Sequence, residues 1–165
     1  MANAQDPEAQ SEEIVVFELS GQHYGLRSSV VREILMAFSP VLLPQAPPTV
    51  DGILNVRGET IVLLNLRKRF GLLDKPLAAS DHFIIAWEGR RLVALRVDRV
   101  LNLRRVPIRS LVDAQRFLSQ PELICGVAII DDKMVVIHDL ERFLSLADHE
   151  LLAKALANQH REPHQ

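Results

Sequence analysis

The feature that most constrains this chain is a strand–turn–strand–helix unit, Asp51 to Phe70, that occurs again 74 residues later. Two apolar runs of strand length, Ile53 to Val56 and Ile61 to Leu64, flank the pair Gly58-Glu59. A glycine between two such runs is a typical signal for a β-hairpin. The unit therefore predicts two antiparallel strands joined by a tight turn.

A short helix is predicted directly after this hairpin. The side chain of Asn65 can accept a hydrogen bond from a free backbone N–H of the first turn, as helix N-caps do. Leu66 and Phe70 then fall on one helix face, and Gly71 stands where a residue with left-handed backbone would end the helix.

The second copy follows without a gap, because Gly126 lies 74 positions after Gly52. At this offset the equivalent pairs are Ile53 and Val127, Val56 and Ile130, Ile61 and Val135, Val62 and Val136, Asn65 and Asp139, and Leu66 and Leu140. The segments upstream agree, since Ile14 to Gly21 matches His82 to Gly89 at an offset of 68. Repetition of this kind predicts two similar small β modules in tandem.

The modules and tails can be bounded by composition. We expect disordered tails at 1–12 and 158–165, a first module over 13–80, a second over 81–146 and a C-terminal helix over 148–157. Four prolines in the connector of residues 39–50 exclude a central strand there. The second module is predicted to turn at Asp131-Asp132, and its last helix has an apolar stripe that could cover a barrel edge or meet a partner.

Composition narrows the function classes. The chain has 165 residues, 48% of them hydrophobic, and a net charge of −2, so it has no overall positive field to attract nucleic acid or anionic lipid. A single cysteine excludes an internal disulfide, and the chain has no apolar leader or run long enough to cross a bilayer. These features predict a cytoplasmic protein without a membrane span.

Residues for catalysis or metal binding are not arranged in recognisable patterns. The six histidines lack metal-site spacing, and Cys125 opens an apolar strand where a buried thiol is the simpler interpretation. A phosphate-binding glycine loop and a nucleophile elbow are also missing from the sequence. We therefore expect no catalytic residues, no metal and no cofactor, and a function in binding.

Arg57 is the candidate binding residue that the pattern itself indicates. In an extended strand it would share a face with Ile53 and Asn55, which places a charge at the end of an apolar strand. Glu33 is the distant acidic residue that we expect to pair with it. The alternative is an arginine that is merely solvated.

The order of several motifs resembles the CheW family. The motifs are Val31-Arg32-Glu33-Ile34, the proline-rich connector ending at Gly52, Asn55-Val56-Arg57-Gly58, and Leu64 to Leu72. The resemblance extends from about Glu13 to Leu156. It implies a mainly β fold of two tandem SH3-like five-stranded β barrels with short helices and a C-terminal helix, in a CheW-like domain over 13–157.

The resemblance also implies a function and partners. Proteins of this family are non-catalytic adaptors that couple the cytoplasmic tips of chemoreceptors to a CheA-type histidine kinase in membrane-associated arrays. By position, Val31, Glu33, Arg57 and Val100 are expected to bind the receptor. Phe117 is expected to contact the kinase.

Two alternatives remain open from the sequence. The same adaptor could serve a chemosensory pathway other than chemotaxis, such as surface sensing, twitching or biofilm formation. The other alternative is a nucleic-acid-binding barrel, because Arg90-Arg91 and Arg104-Arg105 are local basic pairs. Against it, the chain has one Tyr and one Trp, which offer little surface for base stacking.

Overall fold

A computed structural model describes residues 11–107 and 124–140, together with the isolated helical positions 153 and 157. Within these residues the chain is mainly β, as predicted. The strands are β1 (Ser11–Leu19), β2 (Gln22–Arg27), β3 (Val31–Met36), β4 (Val50–Val56), β5 (Glu59–Asn65), β6 (His82–Glu88), β7 (Arg91–Val97), β8 (Arg99–Pro107), β9 (Ile124–Ile130) and β10 (Lys133–His138). A 3-10 turn covers Ser28–Val30, and helix α1 covers Leu66–Arg69.

The strands form two five-stranded sheets. The terminal sheet has the order β8-β1-β2-β10-β9, and the central sheet has the order β3-β6-β7-β5-β4. Most neighbours are antiparallel, but β2 pairs with β10 and β7 pairs with β5 in parallel. The two sheets thus have the same sequence of pairings, each with one parallel step in the same place.

Among the described residues, buried apolar side chains form three clusters, since both faces of each sheet carry buried side chains. One cluster consists of residues of the central sheet and includes Leu63, Phe83 and Ile85. A second fills the terminal sheet around Ile14 and Ile137. The third joins the sheets, and its buried members are Phe17, Leu19, Leu26, Leu43, Ile53, Val62, Leu64, Leu66, Ile84, Ala86, Val93, Leu95, Val97 and Leu140. Burial of apolar area at about 25 cal/mol per Å² is the main stabilising contribution.

The repeat predicted from the sequence is visible in the registers. Leu54 pairs with Ile61 in one hairpin and Ala128 pairs with Val135 in the other, which is the predicted offset of 74. For the upstream strands the structure gives an offset of 69, because Ser20 and Gly89 occupy equivalent turn positions. The predicted 68 was therefore wrong by one residue, since it aligned two glycines that differ in their place in the turn.

The module boundaries need a larger correction. Strands β1 and β2 of the first repeat share a sheet with β8, β9 and β10 of the second, whereas β3, β4 and β5 share the other sheet with β6 and β7. Residues 13–80 and 81–146 therefore do not each form one sheet. The periodicity shows which face of a strand is apolar, but it does not show which distant strand will provide its hydrogen bonds.

The termini of the fold also differ from the prediction in part. Ser11 and Glu12 belong to β1, where they pair with Pro107 and Val106, so the strand begins inside the expected tail of residues 1–12. The C-terminal helix of residues 148–157 and the tail of residues 158–165 lie outside the described ranges, apart from Ala153 and Ala157.

The central hairpin explains why glycine is needed at two positions. Its turn is formed by Arg57 and Gly58, with φ of 51° and 84°, and this left-handed backbone suits a two-residue hairpin. At Gly52 a Cβ atom would lie 2.4 Å from the carbonyl oxygen of Val41, which pairs with Ile53 as an isolated bridge. Gly52 thus lets the proline-rich connector lie against β4.

The short helix after the hairpin agrees with the prediction. The Oδ1 atom of Asn65 accepts a hydrogen bond of 3.2 Å from the backbone N–H of Lys68. Gly71 has a φ of 70°, as expected for the residue that ends a helix.

Candidate functional site

A groove of about 330 Å³ lies between the edge strands of the two sheets. β3 is the edge of the central sheet, and β8 is the edge of the terminal sheet. The lining is largely apolar and consists of Val15, Ser28, Val31, Ile34, Val100, Asn102 and Leu103. Ile34 is 41% exposed and Leu103 is 53% exposed, so the walls present apolar surface to solvent.

A row of four alternating charges extends from β3 to the central hairpin. Arg57 forms a two-point ion pair with Glu33, at 3.0 Å from Nη1 to Oε1 and 2.7 Å from Nη2 to Oε2. Arg32 contacts Glu33 at 3.2 Å and both carboxylate oxygens of Glu59 at 3.1 Å. The predicted pairing of Arg57 with Glu33 is therefore present.

The two partners differ in how open they are to solvent. The Glu33 side chain is 17% exposed and that of Arg57 is 73% exposed. Desolvation raises the pKa of the Glu33 carboxyl, but hydrogen bonds from Arg57 and Arg32 and their charges outweigh it and hold that pKa below its ordinary value. Glu33 is therefore ionised at neutral pH, and it fixes an arginine that keeps most of its surface available.

The position of Arg57 corrects one step of the sequence argument. Arg57 is a turn residue with positive φ, and it does not continue the alternation of β4. Its side chain reaches Glu33 because the turn lies beside β3, which a strand pattern in one hairpin does not reveal.

Four of the five site residues predicted from the sequence lie within the described part of the chain. Val31 and Val100 line the groove from opposite sheets, although 69 residues separate them. Glu33 and Arg57 form the charged row described above. Phe117 lies outside the described residues. Sequence reasoning missed Ile34 and Leu103, whose exposure could be found only once β3 and β8 were known to be edge strands.

A second two-point ion pair joins an edge strand of the terminal sheet to the hairpin turn of that sheet, as the pair of Arg57 and Glu33 does in the central sheet. Both nitrogens of the Arg104 fork lie 2.9 Å from the Asp131 carboxylate oxygens. This pair joins β8 to the turn between β9 and β10, where Asp131 and Asp132 are exposed turn residues, as predicted. Arg91 is likewise paired with Glu88 at 3.0 Å. Each of the two basic pairs therefore contains an arginine held by a carboxylate, which weakens the nucleic-acid interpretation.

The described residues offer neither a metal centre nor a helix that could cross a membrane. Among the described residues, three or more His, Cys, Asp or Glu side chains do not come together in a group that could hold a metal ion. Within the same part of the chain, the helices are too short and too polar to span a bilayer.

Comparison with known proteins relates this geometry to a family. The CheW-like domain family matches residues 13–148, which is most of the chain. The chain belongs to the CheW family. The assignment made from the sequence resemblance is thereby confirmed.

Individual members of the CheW family agree over most of their length. The probable chemotaxis protein CheW of Rhizobium etli is 26% identical over 140 residues, covering 84% of this chain and 90% of the relative. The chemotaxis protein CheW of Treponema pallidum is 33% identical over 120 residues, covering 70% and 66%.

A solved CheW structure has the same fold. The scaffolding protein TtCheW of Thermoanaerobacter tengcongensis superposes with a TM-score of 0.78 and 28% identity, covering 84% of this chain and 96% of that one. This match confirms the two-barrel SH3-like architecture, in which each barrel here combines strands from both sequence repeats.

Proposed function

We propose that this protein is a non-catalytic adaptor that couples chemoreceptors to a CheA-type histidine kinase. Membership of the CheW family supports the adaptor class. The observation that carries the receptor part is the groove between β3 and β8, because two residues expected to bind the receptor, Val31 and Val100, line it from different sheets.

The receptor segment that fits this groove is the cytoplasmic tip of a helical hairpin. An amphipathic helix buries its apolar face in an apolar groove and leaves its polar face in water. Exposed Ile34 and Leu103 would contact the apolar face. Arg57, held by Glu33, would meet an acidic group of the helix and so select its register.

The kinase is the second partner of the proposal. Phe117 is the residue that the family resemblance indicates for this contact. Recruitment to receptors would place the protein at the membrane through its partner and without a span of its own. The experiment for this part is retention of the kinase by the purified chain from lysate of its own organism, with identification by mass spectrometry.

Two matched variants test the receptor site. Leu103→Glu places a carboxylate on the groove wall, and Ile129→Glu places one at an apolar position that is 72% exposed and does not line this groove. Neither change disturbs a buried core residue. We expect Leu103→Glu to reduce binding of a purified receptor cytoplasmic fragment at least tenfold in calorimetry, and Ile129→Glu to leave it within twofold, since about 1.4 kcal/mol corresponds to a factor of ten.

The outcomes separate the candidates. Equal binding by the wild type and both variants would exclude this groove as the receptor site. Recovery of receptors and a kinase from a pathway other than chemotaxis would keep the adaptor mechanism and change the pathway. Recovery of neither partner from folded protein would contradict the adaptor proposal.

A further inference from the structure

A histidine outside the groove is hydrogen-bonded to the backbone of a residue that lines it. The backbone N–H of Val100 donates to Nδ1 of His82 at 3.1 Å. His82 begins β6 in the central sheet, where it is opposite Met36 of β3 and Val97 of β7. Val100 lies near the start of β8 in the terminal sheet. The bond therefore joins the two sheets whose edge strands form the groove walls.

This bond requires one protonation state of the imidazole. A ring nitrogen accepts a hydrogen bond only when it carries no proton, so Nδ1 is bare and the neutral ring has its proton on Nε2. Addition of a second proton at Nδ1 would replace an acceptor with a donor that faces the N–H of Val100. The link is therefore lost when His82 becomes an imidazolium.

We propose that His82 is a positioning residue for the groove, and that its neutral Nδ1 fixes the start of β8 relative to β3. The effect on partner binding rests on the proposed function. The effect on the position of β8 is independent of the proposed function, because it concerns a hydrogen bond within the chain. His82 is not expected to touch the partner, since it does not line the groove.

Other titratable groups near this link already have partners of their own. Asp81, next to His82 in sequence, lies 3.5 Å from Arg96 and 3.6 Å from Lys75. On the neighbouring turn, Asp98 contacts Arg67 at 2.6 Å and Lys75 at 3.4 Å, and Arg99 contacts Glu18 at 3.0 Å. Met36 and Val97, which are opposite His82, are uncharged.

Two substitutions separate the acceptor from the shape of the side chain. His82→Asn keeps an oxygen acceptor at the position of Nδ1, because both atoms are bonded to Cγ, and it does not titrate. His82→Leu has a comparable branch point but no acceptor. All other charged groups are the same in both variants, so a difference between them reports the hydrogen bond.

The first measurement is hydrogen exchange of the Val100 amide by NMR at pH 7.5, with the free protein. We expect the wild type and His82→Asn to protect this amide similarly, and His82→Leu to lose at least tenfold of that protection. Nitrogen-15 shifts of the His82 ring should show a protonated Nε2 and a bare Nδ1. Equal protection in all three proteins, or a proton on Nδ1, would overturn the proposal.

The second measurement is binding of the purified receptor cytoplasmic fragment by the same three proteins. At pH 7.5 we expect His82→Leu to bind about twofold to tenfold more weakly than the wild type, as for the loss of one net hydrogen bond, and His82→Asn to bind as the wild type does.

The two measurements distinguish failure of this inference from failure of the proposed function. The expected pattern of Val100 amide protection, combined with no receptor binding by the wild type, would contradict the receptor proposal. It would still support the hydrogen bond between β8 and β6. Receptor binding that is unaffected by loss of the Val100 bond would overturn the positioning role. If His82→Leu does not fold, His82→Ala, which also lacks an acceptor, replaces it in both measurements.

Discussion

Arg57 and Asp131 occupy the same turn position in the two repeated hairpins, and each makes a two-point ion pair with an edge strand of its own sheet. Arg57 pairs with Glu33 of β3, whereas Asp131 pairs with Arg104 of β8. In both sheets an ion pair thus joins the hairpin turn to an edge strand, but the turn residue is the cation in the central sheet and the anion in the terminal sheet. Arg57 is therefore part of a repeated structural device as well as a candidate for receptor binding.

Exchange of the charges in the central pair should separate these two roles. Arg57→Glu places a second carboxylate against Glu33 and should lower the midpoint of urea denaturation, because repulsion replaces the ion pair. Adding Glu33→Arg restores opposite charges within the pair but places a second guanidinium beside Arg32, so urea denaturation should show recovery of only part of that stability. We expect receptor binding to remain weak in the double variant, since the exposed charge is now negative.

The pair of Asp131 and Arg104 provides the control. The corresponding double exchange, Asp131→Arg with Arg104→Asp, should retain stability and leave receptor binding unchanged, because these residues do not line the groove. Full recovery of binding in the Arg57→Glu, Glu33→Arg variant would show that the central pair is structural alone.

Substitution of Gly52 and of Gly58 by alanine should lower the free energy of unfolding by unequal amounts. Gly52→Ala puts a Cβ atom 2.4 Å from a backbone oxygen at a φ of +149°, so the proline-rich connector must move. Gly58→Ala at a φ of +84° meets no atom within 4 Å. We expect unfolding free energies to fall by about 2–4 kcal/mol for Gly52→Ala, from strain and overpacking, and by about 1–2 kcal/mol for Gly58→Ala. Similar losses in the two variants would contradict this account of Gly52.

Asp98 should contribute to acid sensitivity. Desolvation raises the pKa of its carboxyl, but hydrogen bonds from Arg67 and the backbone of Ser20, with the charges of Arg67 and Lys75, outweigh it and lower that pKa overall. A carboxyl whose pKa is lower when folded stabilises the protein above its unfolded pKa, about 3.9, and this contribution is lost as the pH falls through the folded value.

The measurement is urea denaturation of Asp98→Asn and wild type between about pH 7 and pH 2.5. We expect the variant to be less stable at pH 7, and the two free energies of unfolding to converge at the acid end. Asp132→Asn, in an exposed turn, is the control and should follow the wild type throughout. A constant difference between Asp98→Asn and wild type at all pH values would contradict the linkage.

Removal of Arg96 should destabilise the protein more than removal of a surface arginine. Arg96 is 7% exposed and contacts Asp51 at 3.0 Å and Asp81 at 3.5 Å, and Asp81 itself is 1% exposed. Loss of a buried partner typically costs about 3–5 kcal/mol, and Arg96→Ala should approach the lower end of that range because Lys75 remains 3.6 Å from Asp81. Arg99→Ala removes an arginine that is 60% exposed from its pair with Glu18 and should cost less than about 1 kcal/mol. Thermal and urea denaturation compare the two, and equal losses would argue against a buried network.

Local features were predictable because the residues that produce them are adjacent in sequence. The repeated hairpin, the turn at Asp131-Asp132, the Asn65 cap and the role of Gly71 all follow from propensity and spacing over a few residues. The pairing of Arg57 with Glu33 came from charge complementarity across 24 residues, and the structure contains it.

Residue spacing and local motifs were enough to predict two copies of one β unit and membership of the CheW family. Tertiary structure decided how the copies combine, because each sheet takes strands from both repeats, and local periodicity contains no information about that choice. Because the repeats share their strands between the sheets, the edge strands β3 and β8 lie beside one groove, and Val31 and Val100 both line it. This sharing of strands also places Val100 on His82, since long-range strand pairing alone sets which side chains meet between the two sheets.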